Sequence, residues 1–309
     1  MNTTAAPERH VRKKFFSLNN PRVVPYVLVS PFVLYFLVIY LYPAITTVIM
    51  SFQRLDGPSN AEFIGTLNYQ RVWSRTFVQA VTTTLRYTIW DLLILVPVPL
   101  FFAVLINSTL VKCASFFKSL FFVPALTSII VAGIVFRLAF GTLDSSLANQ
   151  VIGLWNAEPR KWLMDAGTGN FVLILLTLWR WMGVNIVYYY SGLQAIPTEL
   201  YEAAQIDGAN AWKQFLHITA PGIKPVIIYV TTLTVMGGFS MFTESVALWQ
   251  SANPGGVGRT IVGYMYMTGF NKSNMGMAST VGLVLLGMVL CVNLAQLWLM
   301  GFFKKEDRA

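Results

Sequence analysis

The chain has 309 residues, of which 55% are hydrophobic and only 11% charged, with a formal net charge of +9 and a mean hydropathy of +0.59. A soluble domain carries roughly 25% charged residues, so this chain has too little charge to coat a water-facing globule, and most of its surface must face lipid. Nucleic acid does not explain the basic surplus, because the Lys and Arg are scattered over loops without an RNA-binding aromatic motif, and two cysteines, Cys113 and Cys291, imply no disulfide framework.

A membrane-spanning helix needs about 20 mainly apolar residues, and runs of that length recur along the chain. A basic arm over residues 1–26 (Arg9, Arg12, Lys13, Lys14, Arg22) precedes an apolar run from Val27 to about Met50. That run is too long for a signal-peptide core and no small-x-small cleavage site follows it, so it reads as an uncleaved first span. Further spans are expected at about 79–106, 119–140, 171–192, 224–249 and 280–303. Residues 1–309 then form a single all-α integral membrane domain of six transmembrane helices. Pro31, Pro97 and Pro99 fall inside spans, which is tolerated where neighbours satisfy the freed carbonyls. Glu244 and Ser245 interrupt the far end of the fifth span.

The loops 51–78, 141–170 and 250–279 carry Gly, Pro, Asn and Ser as turn formers. They share one side of the membrane with Arg54, Arg71, Arg75, Arg160, Lys161, Arg259 and Lys272. The other side holds the basic arm, Lys112, Lys118, Lys213, Lys224, Lys304, Lys305 and Arg308, twelve cations against seven. Positive charge accumulates on the cytoplasmic side, which places both termini inside and makes 193–223 the long cytoplasmic connection.

Charge inside a span is costly and reads as functional by default. Arg86, Asp91, Arg180 and Glu244 qualify; pairing of Arg86 with Asp91 competes with that reading, and Glu244 and Arg137 could equally mark the outer interface. The fourth span is polar and aromatic, with Thr177, Trp179, Arg180, Trp181, Asn185 and Tyr188 to Tyr190. Flat aromatic faces and hydrogen-bonding side chains are what a sugar needs, although Trp and Tyr also form interfacial belts. His10 and His217 lie outside the spans, and no nucleophile–base pair or metal-spaced cluster is found. No phosphate-binding loop of the GxxxxGK[ST] kind occurs, so the chain does not hydrolyse ATP and calls for no cofactor.

The connection between spans four and five contains Gln194-Ala-Ile-Pro-Thr-Glu-Leu-Tyr-Glu-Ala-Ala-Gln-Ile-Asp-Gly208. Pro197 and Thr198 are helix start signals, with Thr198 as the expected N-cap. Glu199 and Glu202 follow where carboxylates suit the helix dipole. Ala203 and Ala204 allow close approach of another surface, and Asp207-Gly208 ends the element. A second helical stretch is expected at about 209–217, ahead of Pro221. Such a short, capped helix is suited to docking in a groove on a partner.

This segment resembles the EAA loop of binding-protein-dependent ABC import permeases. Glu202, Ala203, Ala204, Gly208, Ile218 and Pro221 match its spacing, with Ala220 where the family usually has Leu. Gln194-Ala-Ile-Pro197 and Asp207-Gly-Ala209 are similar to the carbohydrate-uptake, MalF-like subset. So is the outer-loop sequence Asn253 to Thr260, except that Pro254 precedes the glycines. The resemblance implies the type I ABC importer permease fold in a bacterial or archaeal cytoplasmic membrane. It implies a second permease as heterodimer partner, two ATPase subunits that use ATP and magnesium, and an extracytoplasmic solute-binding protein delivering a mono- or oligosaccharide. It makes Glu199, Glu202, Ala203, Ala204, Asp207, Gly208, Ile218 and Pro221 the ATPase-coupling residues. It nominates Thr177, Arg180, Trp181 and Ser240 for the sugar, an acidic one if Arg180 faces the cavity unpaired. A permease for a non-sugar solute, an ion-coupled secondary transporter with paired midplane acids, an intramembrane enzyme and a purely structural subunit are the competing readings.

Overall fold

The computed structural model describes residues 24–55, 61–108, 111–250 and 254–302. The basic arm before Val24 and residues Ser251 to Asn253 of the outer loop lie outside the described residues.

In lipid an apolar run must satisfy its own N–H and C=O groups, which favours helix throughout. Helix α1 spans Val24–Ser51 and includes one π turn, Leu37–Leu41. Pro31 has no N–H to give the carbonyl of Val27, and the Ser30 hydroxyl donates to that oxygen instead, at 2.9 Å. A short antiparallel pair follows, β1 (Gln53–Leu55) and β2 (Ala61–Phe63), then the single turn α2 (Leu67–Arg71). Asn68 ties these together by donating to the carbonyls of Ser51 and Gln53, both at 3.0 Å.

Helix α3 covers Arg75–Asn107, capped by the Ser74 hydroxyl, and is interrupted for one residue at Val96 ahead of Pro97 and Pro99. The expected third span is not one straight helix. It is α4 (Ala114–Leu126) and α5 (Ile129–Ala139), which meet at 92°. Pro124 weakens the last turn of α4, and Thr127 and Ser128 are extended, with ψ of 136° and 130°. After α6 (Leu147–Gly153) comes α7 (Ala166–Leu193), capped by Asp165, whose carboxylate accepts from the N–H groups of Gly167 and Thr168.

Helix α8 (Thr198–Ile206) is followed by α9 (Ala211–Gly222), which turns through 69° into α10 (Lys224–Phe239). The expected fifth span also breaks: α10 stops before Ser240, and α11 (Thr243–Trp249) begins separately. The freed carbonyl of Met241 accepts a 2.7 Å hydrogen bond from the fully buried Thr260 hydroxyl. Helix α12 (Ile261–Tyr266), prolonged by the π turn Met267–Asn271, leads to α13 (Met275–Leu299). Among the described residues four helices, α1, α3, α7 and α13, are long and apolar enough to cross a membrane, and up to six spans result if α4 with α5 and α9 with α10 each count as one.

Helix α7 packs against α3, α4, α5, α10 and α11 and so organises the bundle. One core joins Tyr87, Ala132, Leu173, Leu176 and Trp249; a second joins Phe77, Val235, Phe239, Ile261 and Val281. A third, with Ala103, Ile186, Tyr189 and Val230, fastens the ends of α3, α7 and α10. Helix α1 buries nothing before Leu37 and packs on α13 through its second half.

Small residues let these helices touch at backbone distance, as is usual in membranes. A Cβ on Gly183 would collide with the Phe121 carbonyl, whereas one on Gly287 meets nothing within 4 Å. Gly183→Ala is therefore expected to cost about 3 kcal/mol, the upper end for overpacking, and Gly287→Ala less than about 0.5 kcal/mol. Thermal unfolding of the two purified variants checks this ordering.

Candidate functional site

Between α3, α7 and α10 lies a cavity of about 320 Å³. Its position follows from helix register. Tyr87 and Asp91 are one turn apart on α3 and share a face. Thr88, beside them, packs where a Cβ on Gly238 of α10 would stand. The Tyr87 hydroxyl and the Thr177 hydroxyl of α7 are hydrogen-bonded at 2.5 Å, which joins the two helices at the cavity wall.

One turn further along α3, Pro99 leaves the carbonyl of Leu95 without its helical donor. The Asn185 amide donates to that oxygen at 2.9 Å, so a cavity-lining side chain also closes the helix defect. The opposite wall comes from the end of α10 and the break after it: Thr234, Gly237, Gly238, Ser240 and Met241. Glu244, on α11, completes it.

Of the sugar candidates, Thr177, Trp181 and Ser240 border this cavity. Thr177 is buried, while Trp181 and Ser240 are exposed. Arg180 is not part of the lining and is not unpaired. Its guanidinium approaches the Glu244 carboxylate at 3.8 Å and lies 5.6 Å from the centre of the Trp181 ring. The condition for an acidic sugar is thus not met, because the cation is drawn to a carboxylate 64 positions away. Arg86 and Asp91 do not pair: Arg86 is exposed and Asp91 is buried, five positions leaving them about 140° apart around the helix. Arg137 is half-buried, its Nε without a partner.

Tyr87 and Thr234 gave no signal in the sequence, since a lone Tyr or Thr in an apolar run is unremarkable. Asp91, Asn185, Tyr188 and Glu244 stood out as polar residues in spans, but their convergence depends on how the helices are rotated. Among the described residues no group of His, Cys, Asp and Glu is arranged to hold a metal ion.

At the other functional segment, the cap of α8 lies one residue earlier than expected. Pro197, with φ −57° and ψ 132°, occupies the cap position, and Thr198 is the first helical residue, without a capping hydrogen bond. Proline's fixed φ already suits the helix entry. The C-terminus is closed by Gly208 at φ +76°. The N–H of Ala209 donates to Ala204 O at 2.8 Å and that of Gly208 to Gln205 O at 3.0 Å, the two bonds of a Schellman motif.

A bond between the Tyr201 and Thr219 hydroxyls, at 2.9 Å, fastens α8 to α9. Glu199, Glu202, Ala203, Asp207 and Gly208 are exposed, and Ala204 is half-buried. Ile206 is 87% exposed, an apolar tip projecting from a firmly closed helix. Ile218 and Pro221 line a shallow groove of about 460 Å³ between α8 and α9, together with Pro197 and Leu200.

A bundle of long apolar helices around a cavity lined by both apolar and polar side chains, with the exposed helix α8 beside it, fits a membrane permease component. The chain belongs to the family of binding-protein-dependent transport system inner membrane components, whose model matches residues 87–306. It is 49% identical over 303 residues to the arabinooligosaccharides transport system permease protein AraP of Bacillus subtilis (strain 168), covering 98% of this chain and 96% of that one. It is 46% identical to AraP of Halalkalibacterium halodurans, covering 97% and 95%. Its fold matches a permease chain in the crystal structure of a bacterial alginate ABC transporter in complex with an alginate pentasaccharide-bound periplasmic protein. That match has a TM-score of 0.81 at 20% identity, over 92% of this chain and 96% of that one. The fold is thus the type I ABC permease fold.

Removing one partner of a shielded ion pair leaves the other's charge uncompensated, while removing both does not. Arg180→Met alone is expected to lower stability by about 1–3 kcal/mol, and Arg180→Met combined with Glu244→Leu by less. Melting temperatures of the single and double variants decide whether the two side chains are coupled.

Proposed function

We propose that this chain is one of two permease subunits of an ATP-driven carbohydrate importer in a bacterial or archaeal cytoplasmic membrane. It crosses the membrane six times with both termini in the cytoplasm, each bent helix pair counting as one span. An extracytoplasmic binding protein delivers the sugar, and two separate ATPase subunits consume ATP with magnesium. The chain itself performs no catalysis. The relatives that transport arabinooligosaccharides favour an oligosaccharide over other solutes.

The observation that carries this reading is α8, a closed nine-residue helix with exposed acidic and apolar groups, lying between two membrane segments on the more basic side. In this role Glu199, Glu202 and Asp207 meet polar groups of the ATPase, Ala203 and Ala204 admit its backbone closely, and Gly208 fixes the helix end. Ile218 and Pro221 support the helix from the groove behind it. Closure of the ATPases moves α8, and the bundle alternates between inward- and outward-open states. The sugar rests in the central cavity, against Trp181, with Thr177 and Ser240 as hydrogen-bonding groups and Arg180 acting through Glu244.

Tagged protein extracted gently from native membranes is expected to bring down a soluble ATPase and a second polytopic protein. Glu202→Lys reverses a charge on the docking face, and Gly208→Asp puts a side chain at φ +76°. Both should lower ATPase recovery at least ten-fold while the second membrane protein remains. Recovery of this chain alone, or ATPase yield from both variants equal to that of the unmodified chain, would reject the reading.

A further inference from the structure

One group at the cavity is not used by the packing around it. Asp91 is 2% exposed, yet it borders the cavity, and its Oδ1 has no hydrogen-bond partner. A buried acceptor left in this way is costly, and a donor entering the cavity relieves the cost. The Tyr87 and Thr177 hydroxyls bond to each other, and the Asn185 amide donates to Leu95 O. The Tyr87 hydroxyl also interacts with the Asp91 carboxylate, yet Oδ1 itself stays without a partner among the described residues.

The charge balance of the lining is one-sided. Asp91 and Glu244 face the cavity, and among the described residues no Lys, Arg or His lines it. Arg180, the cation beside it, is held by Glu244. A glycan bearing carboxylates would find no cation in the lining to pair with and two carboxylates to repel it. A neutral glycan brings many O–H donors and needs acceptors.

We propose that the cavity takes uncharged glycans and excludes acidic ones, with Asp91 as the residue that sets this choice by accepting a sugar hydroxyl at Oδ1. This deepens the carbohydrate-importer reading and rests on it. It also separates this chain by ligand charge from the alginate transporter whose fold it shares.

The test uses the purified permease–ATPase complex, freed of binding protein so that retention reports the cavity, equilibrated by dialysis against labelled arabinotriose or labelled trigalacturonate. ATP-driven arabinotriose uptake into proteoliposomes is followed alongside with the binding protein added back. The wild-type complex is expected to retain arabinotriose at least ten-fold more tightly than trigalacturonate. Asp91→Leu, which removes the acceptor, should weaken arabinotriose binding at least ten-fold. Asp91→Asn keeps an oxygen acceptor without the acid, so it should lose less and narrow the ratio between the two sugars at least five-fold. Normal amounts of ATPase subunit in each preparation establish that the variants assemble. Should Asp91→Leu not assemble, the ratio in Asp91→Asn decides.

Equal retention of the two sugars by the wild type, or an unchanged ratio in Asp91→Asn, overturns the assignment while arabinotriose uptake leaves the importer reading standing. A complete complex that neither binds nor imports either sugar removes the carbohydrate reading and this proposal together.

Discussion

Inside a bilayer, a backbone carbonyl released by a proline or a helix break has no water to turn to, and side-chain donors must replace the lost bond. Much of this bundle's geometry follows from how that is done. Ser30 repairs the carbonyl opposite Pro31 within α1 itself. Asn185 repairs the one opposite Pro99 from a different helix, and so fixes α3 to α7 at the cavity. Thr260 repairs the break after α10 from the following loop, bringing the start of α12 beneath it. The Thr84 hydroxyl in turn accepts the N–H of Ile261 at 3.0 Å, and the loop becomes part of the core. The defects at Pro99 and after α10 thus act as cross-links.

Close packing supplies the second constraint. Gly183 against the Phe121 backbone, Gly238 against Thr88, and Gly133 against Ala247 leave no room for a Cβ. These contacts hold α4, α10 and α11 at short distance from their neighbours, and the breaks in the chain let α5 and α11 turn aside. The space left between the helices is the cavity. Its walls are closely packed where glycine and asparagine hold them and irregular at Ser240 to Phe242, where the helix is interrupted.

The protruding helix is connected to that cavity by one continuous run of chain. Helix α8 is fastened to α9 by Tyr201 and Thr219, α9 turns into α10, and the far end of α10 carries Gly237 and Gly238 into the cavity wall. In the proposed importer this run is the mechanical path from ATPase to sugar. The Arg180–Glu244 pair bridges α7 and α11 at the same wall, so movement of α11 relative to α7 must stretch or preserve it.

By itself, the sequence determined what depends on neighbouring residues. Apolar runs located the long helices α1, α3, α7 and α13 to within a turn or two, because length and hydropathy are local properties. Asp207-Gly208 marked the end of α8, because a left-handed C-terminus needs little beyond glycine. The Thr198 cap was misplaced by one residue, since Pro197 and Thr198 are both good start signals. Only the tertiary structure decided the bends at Thr127 and Ser240, because uniform apolarity conceals which turns are buried against protein and which face lipid. It alone paired Arg180 with Glu244 rather than Arg86 with Asp91, and brought Tyr87 to Thr177. Such partners are set by the rotation of whole helices about their axes, which depends on glycine contacts and repaired carbonyls far away in the chain.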